Sequence, residues 1–189
     1  MNLSFVDFKR EEGMVGRRDL KNVHENSVLE AFKKHVSDSG NSLEIIEMPD
    51  PPEAFVKLNA SRTWIEITDA YLDLDHAIGL TTWASDDAKH ISDSKRLIVE
   101  PDATFQAVLL SVVEKKYKKA TMFSIFNEEG PGILLVGVFT PFSSAYDIAC
   151  EQKENIRSLV EKESTPIFST IYVYDGVGKR EFHKIYQKT

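Results

Sequence analysis

The chain has 189 residues, 42% of them apolar and 10% aromatic, with a formal net charge of -7. That is the composition of an ordinary globule long enough to bury a core, and its acidity argues against a sequence-blind nucleic-acid coat, which is normally basic. The single cysteine, Cys150, excludes an internal disulfide, and the missing cysteine pairs argue against a zinc ribbon. Met1 to His24 is too charged for a signal peptide, being interrupted by Lys9-Arg10-Glu11-Glu12 and Arg17-Arg18. No apolar run approaches the length that spans a bilayer. The expectation is a cytoplasmic protein with no membrane association. It forms a single α/β domain over 1–189, with 1–24 as a peripheral N-terminal segment.

Taken in order, Leu3 to Phe8 fits a short edge strand, and Gly13 and Gly16 favour a loop after it. Ser27-Val28-Leu29-Glu30 has the S-x-x-E spacing of a capping box and predicts a helix start, with Leu29, Phe32 and Val36 at helical spacing. Leu43 to Glu47 reads as a strand. The prolines of Pro49-Asp50-Pro51-Pro52-Glu53 cannot donate to a ladder and mark its boundary. Ala54 to Leu58 and Thr63 to Thr68 read as a hairpin joined by the turn residues Asn59-Ala60-Ser61. Asp69 to His76 reads as a polar turn or helix start, and Thr81 to Lys95 as a mobile loop. Pro101 opens the clearest helix, striped by Phe105, Val108, Leu109, Val112 and Val113. Thr121 to Phe126 reads as a strand, and Ile133 to Phe139 as a central strand covered on both faces. Ser143 or Ser144 caps a helix carrying Tyr146, Ile148, Ala149, Ile156 and Val160, with Cys150 expected in the core. Ile167 to Tyr174 is a last strong strand, turned back by Asp175-Gly176-Val177-Gly178 into a short one near Glu181 to Tyr186. Helices interleaved with strands predict an α/β layered fold, a central mixed β-sheet flanked by helices.

Three features carry chemistry. Glu66 stands mid-strand between Ile65 and Ile67, on the face shared with Trp64 and Thr68. A carboxylate there is either solvated on an edge strand or buried, and a buried one needs a partner or a metal. Asp50 and Glu53 each follow a proline just before the first hairpin strand. Lys116 falls near the centre of the apolar helix stripe and Lys119 within it, so each is either aimed at the acids or past the end of the core. Glu30 is either the N3 half of a capping box or a carboxylate reaching the same place. Asp73, Asp75 and His76 are a further group with cation-ligand chemistry, at a spacing unlike a calcium loop.

This order of elements, with the Pro49-Asp50 or Pro52-Glu53 acid and Glu66-Ile67-Thr68, resembles the PD-(D/E)xK nuclease superfamily, the restriction-endonuclease-like fold, over residues 25 to 140. The resemblance implies a metal-dependent nuclease hydrolysing phosphodiesters of DNA or RNA. It assigns Glu30, Glu53, Glu66 and Lys116 to catalysis, and Asp50, Glu53 and Glu66 to Mg²⁺. Thr68 stands where the family has its motif lysine. Some members supply that lysine from the following helix, which makes Lys116 the first choice and Lys57 the second. The alternative is a catalytically inactive domain of the same fold, serving as a protein-binding or regulatory module. A third reading is a small-molecule or metal-binding α/β protein built on Asp73, Asp75 and His76. A homodimer or a protein partner is left open.

Overall fold

In a computed structural model, residues 17–72, 100–176 and 178–188 are described. The expectations for Leu3 to Phe8, for Asp73, Asp75 and His76, and for Thr81 to Lys95 lie outside them. The chain divides into two compact units, Met1–Asn26 with Asp73–Arg96, and Ser27–Leu72 with Leu97–Thr189. Of the first unit, residues 17–26 are described; they are helical, and Lys21 and Glu25 form an i,i+4 ion pair there at 3.2 Å.

The second unit holds a six-stranded mixed sheet in the order β1-β2-β3-β4-β5-β6. Its strands are β1 (Leu43–Glu47), β2 (Ala54–Leu58), β3 (Ser61–Tyr71), β4 (Gly132–Phe139), β5 (Phe168–Asp175) and β6 (Phe182–Gln187). The helices are α1 (Arg17–Asp38), α2 (Pro101–Lys118), α3 (Ala120–Glu129), α4 (Ala145–Glu151) and α5 (Lys153–Lys162). β1, β2 and β3 form an antiparallel meander, β4 and β5 run parallel to β3, and β6 returns antiparallel. The α/β class with a central mixed sheet is therefore as the sequence led us to expect.

Local chemistry explains the meander. Asn59 and Ala60 both sit in the left-handed region, at φ 49° and 69°, so Leu58 and Ser61 face each other across a two-residue turn. The proline-rich segment between β1 and β2 places Asp50 at φ 43°, its N–H bonded to the Pro52 carbonyl at 3.0 Å, and no ladder runs through it. β3 then extends to Tyr71, so Asp69, Ala70 and Tyr71 continue the strand rather than forming a polar turn. Pairing to β4 along its length outweighs the polar character of Asp69.

Alternation along β3 divides the core. Ile65 and Ile67 pack with Val28, Leu29, Phe32 and Val36 of α1 on one face. Trp64 and Ala70 pack with Leu109 and Val113 of α2, Met122 of α3, Ile148 of α4 and Ile156 of α5 on the other. β4 is buried on both faces, as its continuous apolar run predicted. Each such buried aliphatic side chain contributes about 1.5–3 kcal/mol.

Four sequence expectations are corrected. Helix α1 is continuous through Ser27, so no cap forms there, and the Ser27 hydroxyl accepts from Arg180 Nη1 at 2.7 Å. Thr121 to Phe126 is helical: its apolar positions 122, 125 and 126 suit a 3.6 repeat, which outweighs the β propensity of Thr, Ile and Phe. The helix after Ser144 is two, α4 and α5, separated at Gln152, although the Ser144 capping box forms with Asp147. Cys150 is exposed, because one helical step past the inward-facing Ala149 carries it out of the core.

Candidate active site

The pairings Ala54↔Ile65 and Phe55↔Trp64 set Glu53, just ahead of β2, beside Glu66 of β3. Both carboxylates are out of solvent, Glu66 at 0% exposure and Glu53 at 5%. The solvated-edge reading of Glu66 is thus overturned: β3 is an interior strand, and helices cover this face. Glu53 Oε2 accepts the Ile67 N–H at 3.1 Å, which fixes one oxygen.

The cation comes from α2. Phe105, Leu109, Val113 and Tyr117 bury one stripe of that helix. Lys116 lies three residues beyond Val113 and is carried on the flank of the same stripe. Its Nζ donates to Glu66 Oε1 at 2.5 Å, with 16% of its side chain exposed. Lys119, where α2 ends and α3 begins, puts a second ammonium 3.6 Å from the same oxygen. Helix α3 is tied along β3 at its far end, where Arg62 Nε donates to Glu129 Oε2 at 2.8 Å and Trp64 Nε1 donates to the Gly130 carbonyl at 2.9 Å.

Charge organises the cluster. Burial, reinforced by the hydrogen bond to Glu66 and by the negative charge of Glu66, pushes the Glu53 carboxyl up to about 9; Lys116 and the Ile67 N–H pull the other way. Glu53 therefore keeps its proton at neutral pH and donates it to its neighbour. The buried Glu66 Oε2 receives no bond from any fixed donor. With both acids ionised the contact between them would contain no hydrogen, so the proton held by Glu53 is what joins the two carboxyl groups.

The other expected residues are elsewhere. Glu30 is exposed on α1, which packs against the opposite face of the sheet. Asp50 is exposed in the proline segment, its left-handed backbone directing the chain away before Glu53 turns inward. Lys57 is exposed and pairs with Glu44 at 3.8 Å on β1. Among the described residues no group of three or more His, Cys, Asp or Glu side chains is arranged to hold a metal. The sequence set both Lys116 and Lys119 on the apolar stripe; the structure adds that the two ammoniums approach one oxygen of Glu66. No helix among the described residues is long and apolar enough to cross a membrane. None of the family models, curated proteins or solved structures compared with this chain matches it.

Proposed function

We propose that Glu53, Glu66 and Lys116 form the centre of a metal-assisted phosphodiesterase, a nuclease on a restriction-endonuclease-like fold. The observation that carries the reading is the Glu66 carboxylate, buried on an interior strand, with an ammonium on Oε1 and nothing fixed on Oε2. The element order supports it: a helix, three strands, helices and a further strand keep the order on which the resemblance rests, with Thr121 to Phe126 helical in place of the expected strand.

The donor set fits a hard cation. Mg²⁺ is commonly held by one or two carboxylates, with water and substrate phosphate filling the remaining positions. Glu66 Oε2 and Glu53 would be its protein ligands here. When bound, the ion supplies Lewis-acid polarisation of a phosphate oxygen and a more acidic water. The side chains do the rest. Lys116 holds Glu66 in one orientation and keeps a positive charge beside the reacting phosphate, where negative charge grows in the transition state. Glu53 must surrender its proton before its free oxygen can act as a ligand or a base, so activity rises with pH through the neutral range. The test is cleavage of labelled single-stranded and duplex DNA and RNA with Mg²⁺ or Mn²⁺, by wild type and Glu66→Gln. Metal-dependent cleavage lost in the variant supports the centre; cleavage undiminished in Glu66→Gln refutes it.

One observation favours the inactive-module reading. Lys116 already neutralises Glu66, Glu53 carries a proton, and no third acid joins them among the described residues, so the cluster is complete as a structural ion pair. In that case wild type shows no cleavage with either metal, and the α2–β3 ion pair serves only to fix the helix on the sheet.

A further inference from the structure

Lys119 stands apart from the other cations of the second unit. It is at once the last cap of α2 and the first of α3, in extended backbone at φ -77°, ψ 118°, and neither helix end uses its side chain. That break turns the chain and carries the side chain back toward Glu66. The two ammoniums then share one oxygen unequally. Lys116 is largely covered and at hydrogen-bond distance, 2.5 Å, whereas Lys119 is 45% exposed and 3.6 Å away, beyond a hydrogen bond. Lys116 is thus the inner, held partner of Glu66, and Lys119 is the outer cation at the solvent edge of a buried acidic centre; half-exposed pairs of this kind are weakly held.

We propose that Lys119 is the substrate-phosphate contact of this site: its ammonium leaves Glu66 and takes a non-bridging oxygen of a nucleic-acid phosphodiester. The two lysines then divide the work. Lys116 stays on Glu66 as the positioning residue, and Lys119 changes partner as the backbone of the substrate arrives. No bond is made or broken in this exchange; an ion pair at 3.6 Å is replaced by a charge-assisted hydrogen bond to phosphate. The inference rests on the phosphodiesterase reading and adds the residue that recognises the anion.

Binding without turnover tests it. Fluorescence anisotropy of a short labelled single-stranded DNA is followed in EDTA over a series of salt concentrations, for wild type, Lys119→Gln, Lys119→Arg and Lys153→Gln. Lys153 is an exposed lysine at the start of α5, outside the site. The expected result is several-fold weaker binding by Lys119→Gln, with the slope of log affinity against log salt shallower by about 0.7, the value of one lost phosphate contact on a single strand. Lys119→Arg restores both, and Lys153→Gln leaves both unchanged. Wild-type affinity and slope in Lys119→Gln overturn the role of Lys119 while leaving the catalytic reading standing. An equal loss in Lys153→Gln shows diffuse attraction and also overturns it. A wild type that neither binds the DNA nor cleaves it with Mn²⁺ removes the site reading and the Lys119 contact together.

Discussion

Two acids, the buried Glu66 and the half-buried Asp69, lie three residues apart on β3 and face opposite ways. Asp69, on the α1 face, accepts the Tyr174 hydroxyl on Oδ1 at 3.0 Å and the Tyr71 hydroxyl on Oδ2 at 3.3 Å, so both oxygens are satisfied by neutral donors. Glu66, on the α2 face, has a cation on one oxygen, a second carboxyl group beside it and no fixed donor on the other. The first arrangement holds three strands together: Asp69, Gly137 and Tyr174 are in register on β3, β4 and β5, and Gly137 leaves the gap that the contact crosses. The second joins an ammonium, a carboxylate and a protonated carboxyl group in a space out of solvent. Two acids on one strand thus differ in what surrounds their oxygens: hydroxyl donors at Asp69, an ammonium and a second carboxyl group at Glu66.

The largest effect is expected from Lys116→Met. It strips the cation from a carboxylate with no access to solvent, and breaking such a pair costs about 3–5 kcal/mol. Urea denaturation measures it; a loss under about 1 kcal/mol would mean that Lys119 or a proton replaces Lys116 freely.

Glu53→Gln comes next, and its effect depends on pH. The Glu53 carboxyl titrates near 9 when folded and near its ordinary 4.5 when unfolded. Below 4.5 both states hold the proton and no stability is at stake. Between the two values the unfolded chain releases the proton and the folded one keeps it, so stability falls as pH rises, by at most about 1.4 kcal/mol per unit. Gln has no such proton to lose. Relative to wild type, Glu53→Gln should gain up to about 3 kcal/mol between about pH 5.5 and about pH 8. A difference that does not change with pH contradicts the shared-proton description.

The Asp69 contact gives smaller numbers. Tyr174→Phe removes one donor from the half-buried Asp69 and should cost about 0.5–1.5 kcal/mol by thermal melting. Gly137→Ala would set its Cβ 2.3 Å from Asp69 Oδ1 and 2.8 Å from the Tyr174 hydroxyl, separating them at a cost of about 1–3 kcal/mol. Neither change should alter the Glu66 cluster on the other face or the metal binding proposed for it. If either does, the two acids are coupled through β3 and the contrast between them fails.

The contrast was half legible in the sequence. Glu66 stood out because an acid between two isoleucines on a strand demands an explanation. Lys116 stood out because helical periodicity set it on an apolar stripe, and both signals are local. The boundaries of β1 and β2 were legible too, since prolines and a tight turn punctuate them. Glu30 and Asp50 lie apart from Glu66, because a motif supplies letters while the backbone decides direction: α1 covers the opposite face, and Asp50 sits in a left-handed bend. The Asp69–Tyr174 contact spans 105 residues and left no local trace. Thr121 to Phe126 shows the same limit at short range, where six residues suit either period and the packing of Met122 decides for helix.

The most direct measurement is calorimetric titration of Mn²⁺ into wild type and Glu66→Gln near neutral pH, in buffers of differing ionisation enthalpy. The account predicts binding to wild type with release of about one proton, the one Glu53 holds, and loss of binding in Glu66→Gln. Equal binding by both proteins, or none by wild type, would contradict it.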